Sequence, residues 1–195
     1  VMAAIPVAET PAAGVGMSRI HPVYDAMAPT IFEHMSGLAN SHGAINLGQG
    51  FPDRPPSSDM VEAAARALRE KSNQYPPAFG LAELREAICG FYRRRQGLEL
   101  VRDQIIVTSG ATEALAASLL ALVGPGDEVI LFQPAYDSYA PVIRRAGGTP
   151  VSVGLIPPGW HYDSAALERA ITPRTRLLMF NDPLNPAGKV ASEGE

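Results

Sequence analysis

The sequence predicts an α/β protein with a mainly parallel β-sheet that is covered by helices on both faces. From about residue 57 onward, apolar runs of strand length alternate with amphipathic helical segments, and glycine- and proline-containing turns separate them. Repeated strand–helix–strand units favour parallel strands, because the intervening helix carries the chain back across the sheet. With 195 residues, 46% of them hydrophobic, the chain can bury one sizeable core and at most a small second unit.

The spacing of apolar residues predicts each helix and strand. In the second helix, Leu81, Leu84 and Ile88 recur at helical spacing on one face. Short apolar runs such as Glu128 to Phe132 predict strands. The predicted helices span residues 59–71, 81–95, 112–123, 138–146 and 163–171. The predicted strands span residues 104–108, 128–132, 149–155 and 175–181, and we expect the first and the last of them to be buried.

Charge and cysteine content exclude several classes of function. The net charge of -4 and the pI of about 5.6 leave no basic field for nucleic acid or for an anionic membrane. No apolar run approaches membrane-spanning length. Cys89 is the single cysteine, so disulfides within the chain are excluded, which indicates a reducing, cytoplasmic location. We expect Cys89 to be a small core residue. The four histidines are scattered without metal-ligand spacing, and no metal is predicted.

The chain divides into three predicted parts. Residues 1–16, rich in Ala, Pro, Val and Gly, are expected to form a flexible leader. Residues 17–56 form an N-terminal segment, and residues 57–195 form the α/β unit. The chain begins with Val rather than Met, and its last residues have no feature of a natural terminus. We therefore expect it to be the N-terminal part of a longer protein.

The loop from Asn181 to Lys189 is the most informative stretch of the chain. It follows an apolar strand, and its two prolines stiffen a segment that carries two asparagines four residues apart, Asn181 and Asn185. In open α/β sheets, ligands bind at the carboxyl ends of the strands, where these neutral amides would lie. Asn, Pro and Gly also form turns for backbone reasons alone, so the loop by itself permits either interpretation.

A second candidate site is the turn from Thr108 to Thr112, where a predicted strand leads into a helix. Small residues in this turn leave the first N–H groups of the helix free, and their partial positive charge suits a phosphate. Ser109 and Thr112 could add hydroxyl donors. Ordinary helix capping explains the same residues, and the turn lacks the glycine patterns of nucleotide sites.

Three further segments are candidates, and two of them, residues 46–53 and 72–75, are hard to explain as core. Tyr136 follows the strand that ends near Phe132, where an aromatic ring could lie over a flat cofactor or simply pack at the rim. The other segments, residues 46–53 and residues 72–75, are extended or turn-like and contain few apolar side chains.

Together these segments resemble the class I/II aminotransferases, which are pyridoxal 5'-phosphate (PLP) enzymes of fold type I. The similarity is strongest to the branch that contains kynurenine, glutamine and methionine aminotransferases. The motifs occur in the family's order and spacing from about residue 28 to the end of the chain. They are NLGQGFPD (46–53), NQYPPAFGLAELREAI (73–88), VTSGATEAL (107–115), GDEVILFQPAYDSY (126–139) and NDPLNPAGK (181–189).

The resemblance implies a fold and a domain plan. The fold is the three-layer α/β/α large domain of fold type I, truncated in this chain. Residues 17–56 correspond to the arm on the substrate side, next to the small domain. Residues 57–195 correspond to the first part of the PLP-binding large domain. The complete subunit would be about twice this length and would share its active sites across a homodimer.

The resemblance also implies roles for individual residues. Gly110, Ala111 and Thr112 would hold the PLP phosphate, and Tyr136 would stack on the pyridine ring. Asn185 would donate to the phenolate oxygen of PLP, which favours its ionised form. Asn181 matches a family position close to cofactor and substrate, and Gly50 matches a backbone contact with the substrate carboxylate. Asn185 would also contact the substrate, and Tyr75 would reach the phosphate of the neighbouring subunit's PLP.

The chain contains only two lysines, Lys71 and Lys189. Neither has the sequence context of the family's catalytic lysine, and Lys189 matches the loop lysine of the NPxGK motif. In relatives the catalytic lysine, and the aspartate and arginine that hold cofactor and substrate, lie further along the chain. Without that lysine, the covalent anchor and the base for proton transfer are lost. We therefore expect no catalytic residue in this chain and no activity from the chain alone.

The function that follows is transfer of an amino group from an L-amino acid to a 2-oxo acid by the full-length enzyme. Two alternatives remain open at this point. A carbon–sulfur β-lyase acting on cysteine conjugates would use the same motifs. A regulatory protein could use an aminotransferase-like domain as a ligand sensor, although the short leader carries no basic DNA-binding segment. The motifs do not identify the substrate amino acid.

Overall fold

The computed structural model describes residues 20–25, 27, 29–50, 52 and 54–195, and the leader predicted over residues 1–16 lies outside this part. A 3-10 turn spans Arg102–Gln104. The helices are α1 (Pro22–Asp25), α2 (Ile31–His42), α3 (Ser58–Glu70), α4 (Ala82–Gln96), α5 (Gly110–Leu122), α6 (Tyr139–Arg145) and α7 (Ser164–Ala170). The strands are β1 (Glu128–Gln133), β2 (Thr149–Gly154) and β3 (Thr175–Met179).

The three strands form one parallel sheet in the order β2-β1-β3, with β1 at the centre. The register aligns Glu128 with Thr149 at one end of the β1–β2 pair and Gln133 with Gly154 at the other. Because all three strands run the same way, their carboxyl ends meet at one edge of the sheet. The predicted parallel sheet is confirmed, and so is the edge at which the candidate loops begin.

Helices cover both faces of the sheet. Successive side chains of β1 point to opposite sides, so each face of this strand contributes to a separate buried cluster. On one face, Val129 and Leu131 pack in a buried cluster with Leu119 of α5 and Ile143 of α6. On the other face, Ile130 and Phe132 of β1 belong to a second buried cluster, which packs against Leu167 of α7. The other buried residues of this cluster are Val153, Leu155 and Leu184. This arrangement confirms the predicted three-layer α/β/α architecture.

A buried carboxylate ties the start of β1 to the turn before β3. Glu128 is buried, and its side chain accepts hydrogen bonds from Thr172 Oγ1 (2.6 Å) and Arg174 Nε (2.8 Å). These two partners lower the pKa of Glu128, the threonine more than the arginine. The bonds lie at the amino end of the sheet, opposite the edge that carries the candidate loops.

The strand predicted over residues 104–108 is wrong. A 3-10 turn ends at Gln104, and residues 105–108 belong to no strand of the described part of the chain. The backbone groups of this segment bond elsewhere, because the Ile105 carbonyl accepts from Arg85 Nε (2.9 Å) and the Val107 N–H donates to the Phe79 carbonyl (3.1 Å). The segment still leads directly into α5, as the sequence predicts.

The expected burial of the last strand is also wrong. β3 forms where predicted, but Leu178 and Phe180 are 43% and 55% exposed, while Leu177 and Met179 pack against the first buried cluster. β3 lies at the edge of the sheet, so one of its edges has no neighbouring strand among the described elements. The predicted burial of Cys89 is confirmed, since it is a buried residue of α4.

Candidate functional site

A cleft of about 570 Å³ opens at the carboxyl edge of the sheet. Five separate parts of the chain line it: α2, the segment that follows it, the start of α5, the loop after β1 with the first residue of α6, and the loop after β3. The lining residues are Phe32, Gln49, Gly50, Ala111, Thr112, Leu115, Tyr136, Tyr139, Asn181 and Asn185.

The N-terminus of α5 supplies backbone donors to this cleft. Gly110 begins the helix with a φ of +78°, a left-handed conformation that glycine adopts without strain, and a Cβ built there would meet nothing within 4 Å. Ser109 makes no side-chain capping bond, and its N–H donates to the Glu113 carboxylate. Ala111 and Thr112, in the first helical turn, line the cleft. First-turn N–H groups carry partial positive charge, so this end of the cleft suits an anion.

Two tyrosines form one wall of the cleft. Tyr136 follows β1, and Tyr139 begins α6, with its N–H donating to the Tyr136 carbonyl at 3.2 Å. Their ring centroids are 5.7 Å apart at an interplanar angle of 65°, an edge-to-face contact. Burial, and secondarily the neighbouring Tyr136, raises the pKa of Tyr139. The Tyr139 hydroxyl therefore stays neutral and can both donate and accept a hydrogen bond.

The loop after β3 contributes the two asparagines. Asn181 Nδ2 donates to the Tyr139 hydroxyl at 3.4 Å, which links this loop to the tyrosine wall. Leu184, between the asparagines, is buried in the second cluster, and its N–H donates to the Lys189 carbonyl at 2.8 Å. The loop is thus anchored in the core next to Asn185, which lines the cleft.

The structure brings most of the predicted site residues together. Gly110 adjoins the cleft through Ala111, and Tyr75 lies outside it with its side chain 99% exposed. The predicted residues that line the cleft are Gly50, Ala111, Thr112, Tyr136, Asn181 and Asn185.

A family model for aminotransferase class I and II matches residues 42–195 of the chain. This chain belongs to that family. Among its relatives, a probable N-succinyldiaminopimelate aminotransferase of Mycobacterium tuberculosis is 48% identical over 182 residues, covering 92% of this chain and 45% of the relative. The methionine aminotransferase of Escherichia coli is 44% identical over 170 residues, covering 87% and 44%.

Solved structures agree with this membership. The structure of N-succinyldiaminopimelate aminotransferase from Mycobacterium tuberculosis has a TM-score of 0.84 and 47% identity, and the match covers 90% of this chain and 47% of that one. The structure of the Escherichia coli methionine aminotransferase has a TM-score of 0.81 and 45% identity, covering 86% and 44%. The chain spans about half the length of the relatives it matches.

The cofactor of class I and II aminotransferases is PLP, and the residues of the cleft fit it. A doubly charged phosphate matches the N-terminus of α5 at Ala111 and Thr112. The flat pyridine ring matches the aromatic wall at Tyr136, and a phenolate oxygen matches a neutral amide donor such as Asn185. Among the described residues, no cluster of His, Cys, Asp and Glu could hold a metal ion. Nor is any helix in the described part long and apolar enough to cross a membrane.

Neither lysine of this aminotransferase chain lines the cleft. Lys71 lines a separate groove of about 710 Å³ beside α3 and the start of α4. Lys189 Nζ donates to Glu195 Oε2 at 2.8 Å. The described residues of the cleft therefore include a helix N-terminus, aromatic rings and two amides, while both lysine amino groups lie elsewhere.

Sequence reasoning missed four residues that line the cleft: Phe32, Gln49, Leu115 and Tyr139. Phe32 lies on α2, a helix that we did not predict although Thr30-x-x-Glu33 is a capping-box pattern. In the structure the Thr30 hydroxyl accepts from the Glu33 N–H at 3.2 Å, and the Glu33 carboxylate accepts from the Thr30 N–H at 3.0 Å. Gln49 and Tyr139 belong to quoted family motifs but have no individual signal in the sequence.

Proposed function

We propose that the full-length protein containing this chain is a PLP-dependent aminotransferase, transferring an amino group from an L-amino acid to a 2-oxo acid. The observation that carries the proposal is one cleft in which a helix N-terminus, an aromatic ring and two amides converge. Membership of the class I and II aminotransferases supports the same activity.

The cleft residues would divide the work of holding the cofactor. The N–H groups of Ala111 and Thr112 bind the phosphate, and the left-handed Gly110 leaves the approach to them open. Tyr136 covers one face of the pyridine ring. When bound, PLP supplies the electron sink for the chemistry at the amino acid's α-carbon. Asn185 donates to the phenolate oxygen and so keeps it deprotonated.

The other residues of the cleft would bind the substrate or lie beside the cofactor. Gly50 would contact the substrate carboxylate through its backbone, and Asn185 would contact the substrate through its amide. Asn181, hydrogen-bonded to the Tyr139 hydroxyl, would lie close to cofactor and substrate. In this scheme residues 17–56 form the substrate-side arm, and residues 57–195 form the first part of the PLP-binding domain.

Tyr75 has a role only in an assembly. We propose a cytoplasmic homodimer in which Tyr75 reaches the PLP phosphate of the neighbouring subunit. Its side chain, 99% exposed and outside the cleft of its own chain, is free to do so. The single cysteine, which excludes disulfides within the chain, supports the cytoplasmic location.

A half-reaction tests the proposed activity. The full-length protein loaded with PLP is mixed with L-methionine, L-kynurenine or N-succinyldiaminopimelate, the amino acids in its relatives' names. Without a 2-oxo acid, we expect one equivalent of pyridoxamine phosphate and one of the substrate's 2-oxo acid, with further turnover when 2-oxoglutarate is added. Ammonia and pyruvate released from a cysteine conjugate, with no amino transfer, would indicate a β-lyase. Amino-acid binding without turnover would indicate a ligand sensor.

Borohydride reduction tests the assignment of the two lysines. Because Lys71 lies beside α3 and Lys189 pairs with Glu195, neither amino group is positioned to hold PLP covalently. We expect the 195-residue chain, incubated with PLP and reduced, to carry no stoichiometric pyridoxyl group by mass spectrometry. In the full-length protein the trapped group should map to a different lysine. A stoichiometric adduct on Lys189 would contradict this assignment.

A further inference from the structure

Lys189 and Glu195 form an ion pair at the end of the loop that carries the asparagines. Lys189 Nζ lies 2.8 Å from Glu195 Oε2, and the two side chains are only 13% and 19% exposed. The pair is outside the cleft, so cofactor binding as proposed above does not use it. A lysine side chain that is mostly buried away from the cleft calls for a structural explanation.

Glu195 collects further donors besides the lysine. The N–H and the hydroxyl of Ser192 each donate to Glu195 Oε2 at 3.0 Å, and His161 Nδ1 lies 3.4 Å from Oε1. These contacts, with Lys189 the largest, lower the pKa of Glu195 to about 2. The carboxylate is therefore ionised throughout the physiological range, and the ion pair persists across it.

The same pair closes a loop whose backbone is already joined at its base. The Leu184 N–H donates to the Lys189 carbonyl at 2.8 Å, and the Gly188 N–H donates to the Leu184 carbonyl at 2.7 Å. Asn185 follows Leu184 directly and lies within this closed turn. Thus the backbone of Lys189 holds one end of the turn, while its side chain fixes that end to Glu195.

We propose that Lys189 is a positioning residue, whose ion pair with Glu195 clamps the turn of residues 184–189 and so fixes Asn185 at the cleft. That Asn185 binds PLP rests on the function proposed above. The clamp itself does not depend on that function. The clamp gives the second lysine of the chain a role that is neither covalent nor in contact with substrate.

Hydrogen exchange in the apo full-length protein tests the clamp without any cofactor. The amides of Leu184 and Gly188 report directly, because both donate hydrogen bonds inside the turn. We expect Lys189→Met to speed their exchange by about two- to fivefold, the range for an ion pair that keeps some solvent contact. Amides of β1 should exchange as in the parent, which establishes that the variant folds. Unchanged exchange at Leu184 and Gly188 would overturn the proposal.

Three further variants separate the pair from a general effect of charge. Lys71→Met removes the only other lysine of the chain and should leave both amides unchanged. Lys189→Arg keeps the positive charge and should preserve most of the protection. Glu195→Gln should match Lys189→Met, and the double variant should be no faster than either single one, because each breaks the same contact. Additive effects of Lys189→Met and Glu195→Gln would show that the two side chains act independently.

PLP titration then links the clamp to Asn185. The full-length Lys189→Met variant should bind PLP more weakly than the parent, while Lys71→Met should bind it equally well. If exchange at Leu184 speeds up but no variant binds PLP, the clamp stands and the proposed function fails. If PLP binds normally and exchange is unchanged, the function stands and the clamp fails.

Discussion

Gly110→Val is expected to weaken PLP binding by the full-length protein by about two orders of magnitude or more. Gly110 precedes Ala111 and Thr112, whose N–H groups are proposed to bind the phosphate, and a branched side chain there obstructs the approach to both. Each hydrogen bond to a charged group is worth about 1.5–3 kcal/mol, so losing two of them accounts for this change. Tyr136→Ala should weaken binding less, by about 1–3 kcal/mol if the ring stacks as aromatic side chains stack on bases.

The backbone supplies a matched control for this experiment. Gly110 has a φ of +78° and Gly97, which ends α4 outside the cleft, has a φ of +67°; neither would place a Cβ within 4 Å of another group. A β-branched residue in this left-handed region costs about 1–3 kcal/mol of folding free energy at either position. We therefore expect Gly110→Val and Gly97→Val to lower the thermal midpoint similarly, with only the first losing PLP affinity. Equal affinity in both variants would mean that the turn before α5 is not the phosphate site.

The sheet was predictable because its signals are local and strong. β1 contains four consecutive apolar residues, Val129 to Phe132, between a glycine turn and a proline, and both of its faces are buried, as parallel strands require. β2 and β3 each follow a helix, α6 and α7, so the strand–helix–strand pattern determined their direction. The parallel arrangement in turn places the loops after β1 and β3 side by side.

The segment 104–108 shows where the local pattern fails. Its apolar residues fit a strand, but a strand exists only if a neighbour pairs with its backbone. Here the available partners are the Arg85 guanidinium and the Phe79 carbonyl, which lie outside any sheet. No pattern within residues 104–108 reports these distant partners. The same reason explains why the expected burial of β3 was wrong, since the exposure of Leu178 depends on which element lies beside it.

In the candidate site too, some features were predictable from the sequence and others were not. Asn181, Asn185 and Tyr136 were predictable because loops that follow adjacent parallel strands lie next to each other. Contacts between side chains from different segments were not, such as the bond from Asn181 Nδ2 to the Tyr139 hydroxyl or the pair of Lys189 with Glu195. Such contacts depend on rotamers and on the exact path of each loop, which residue type and spacing do not encode.

Asn185→Ala is expected to raise the pKa of the bound cofactor, read from its absorbance titration in the full-length protein. A neutral amide that donates to the phenolate oxygen stabilises the deprotonated form, so its removal favours the protonated form and shifts the pKa upward. One hydrogen bond to a charged acceptor is worth about 1.5–3 kcal/mol, which corresponds to about one to two pKa units. PLP should still bind, because Ala111, Thr112 and Tyr136 remain in place.

Turnover at pH 7 should fall in the same variant, because less of the cofactor is in its deprotonated form, and it should recover partly as the pH is raised past the new pKa. Asn40→Ala, which removes an exposed amide from α2, should change neither the cofactor's pKa nor turnover. Lys189→Met should shift the pKa in the same direction as Asn185→Ala but by less, since it only loosens the turn that holds the amide. An unchanged pKa with unchanged turnover in Asn185→Ala would mean that Asn185 serves only the turn. The amide donor to the phenolate would then have to come from Asn181 or from beyond this chain.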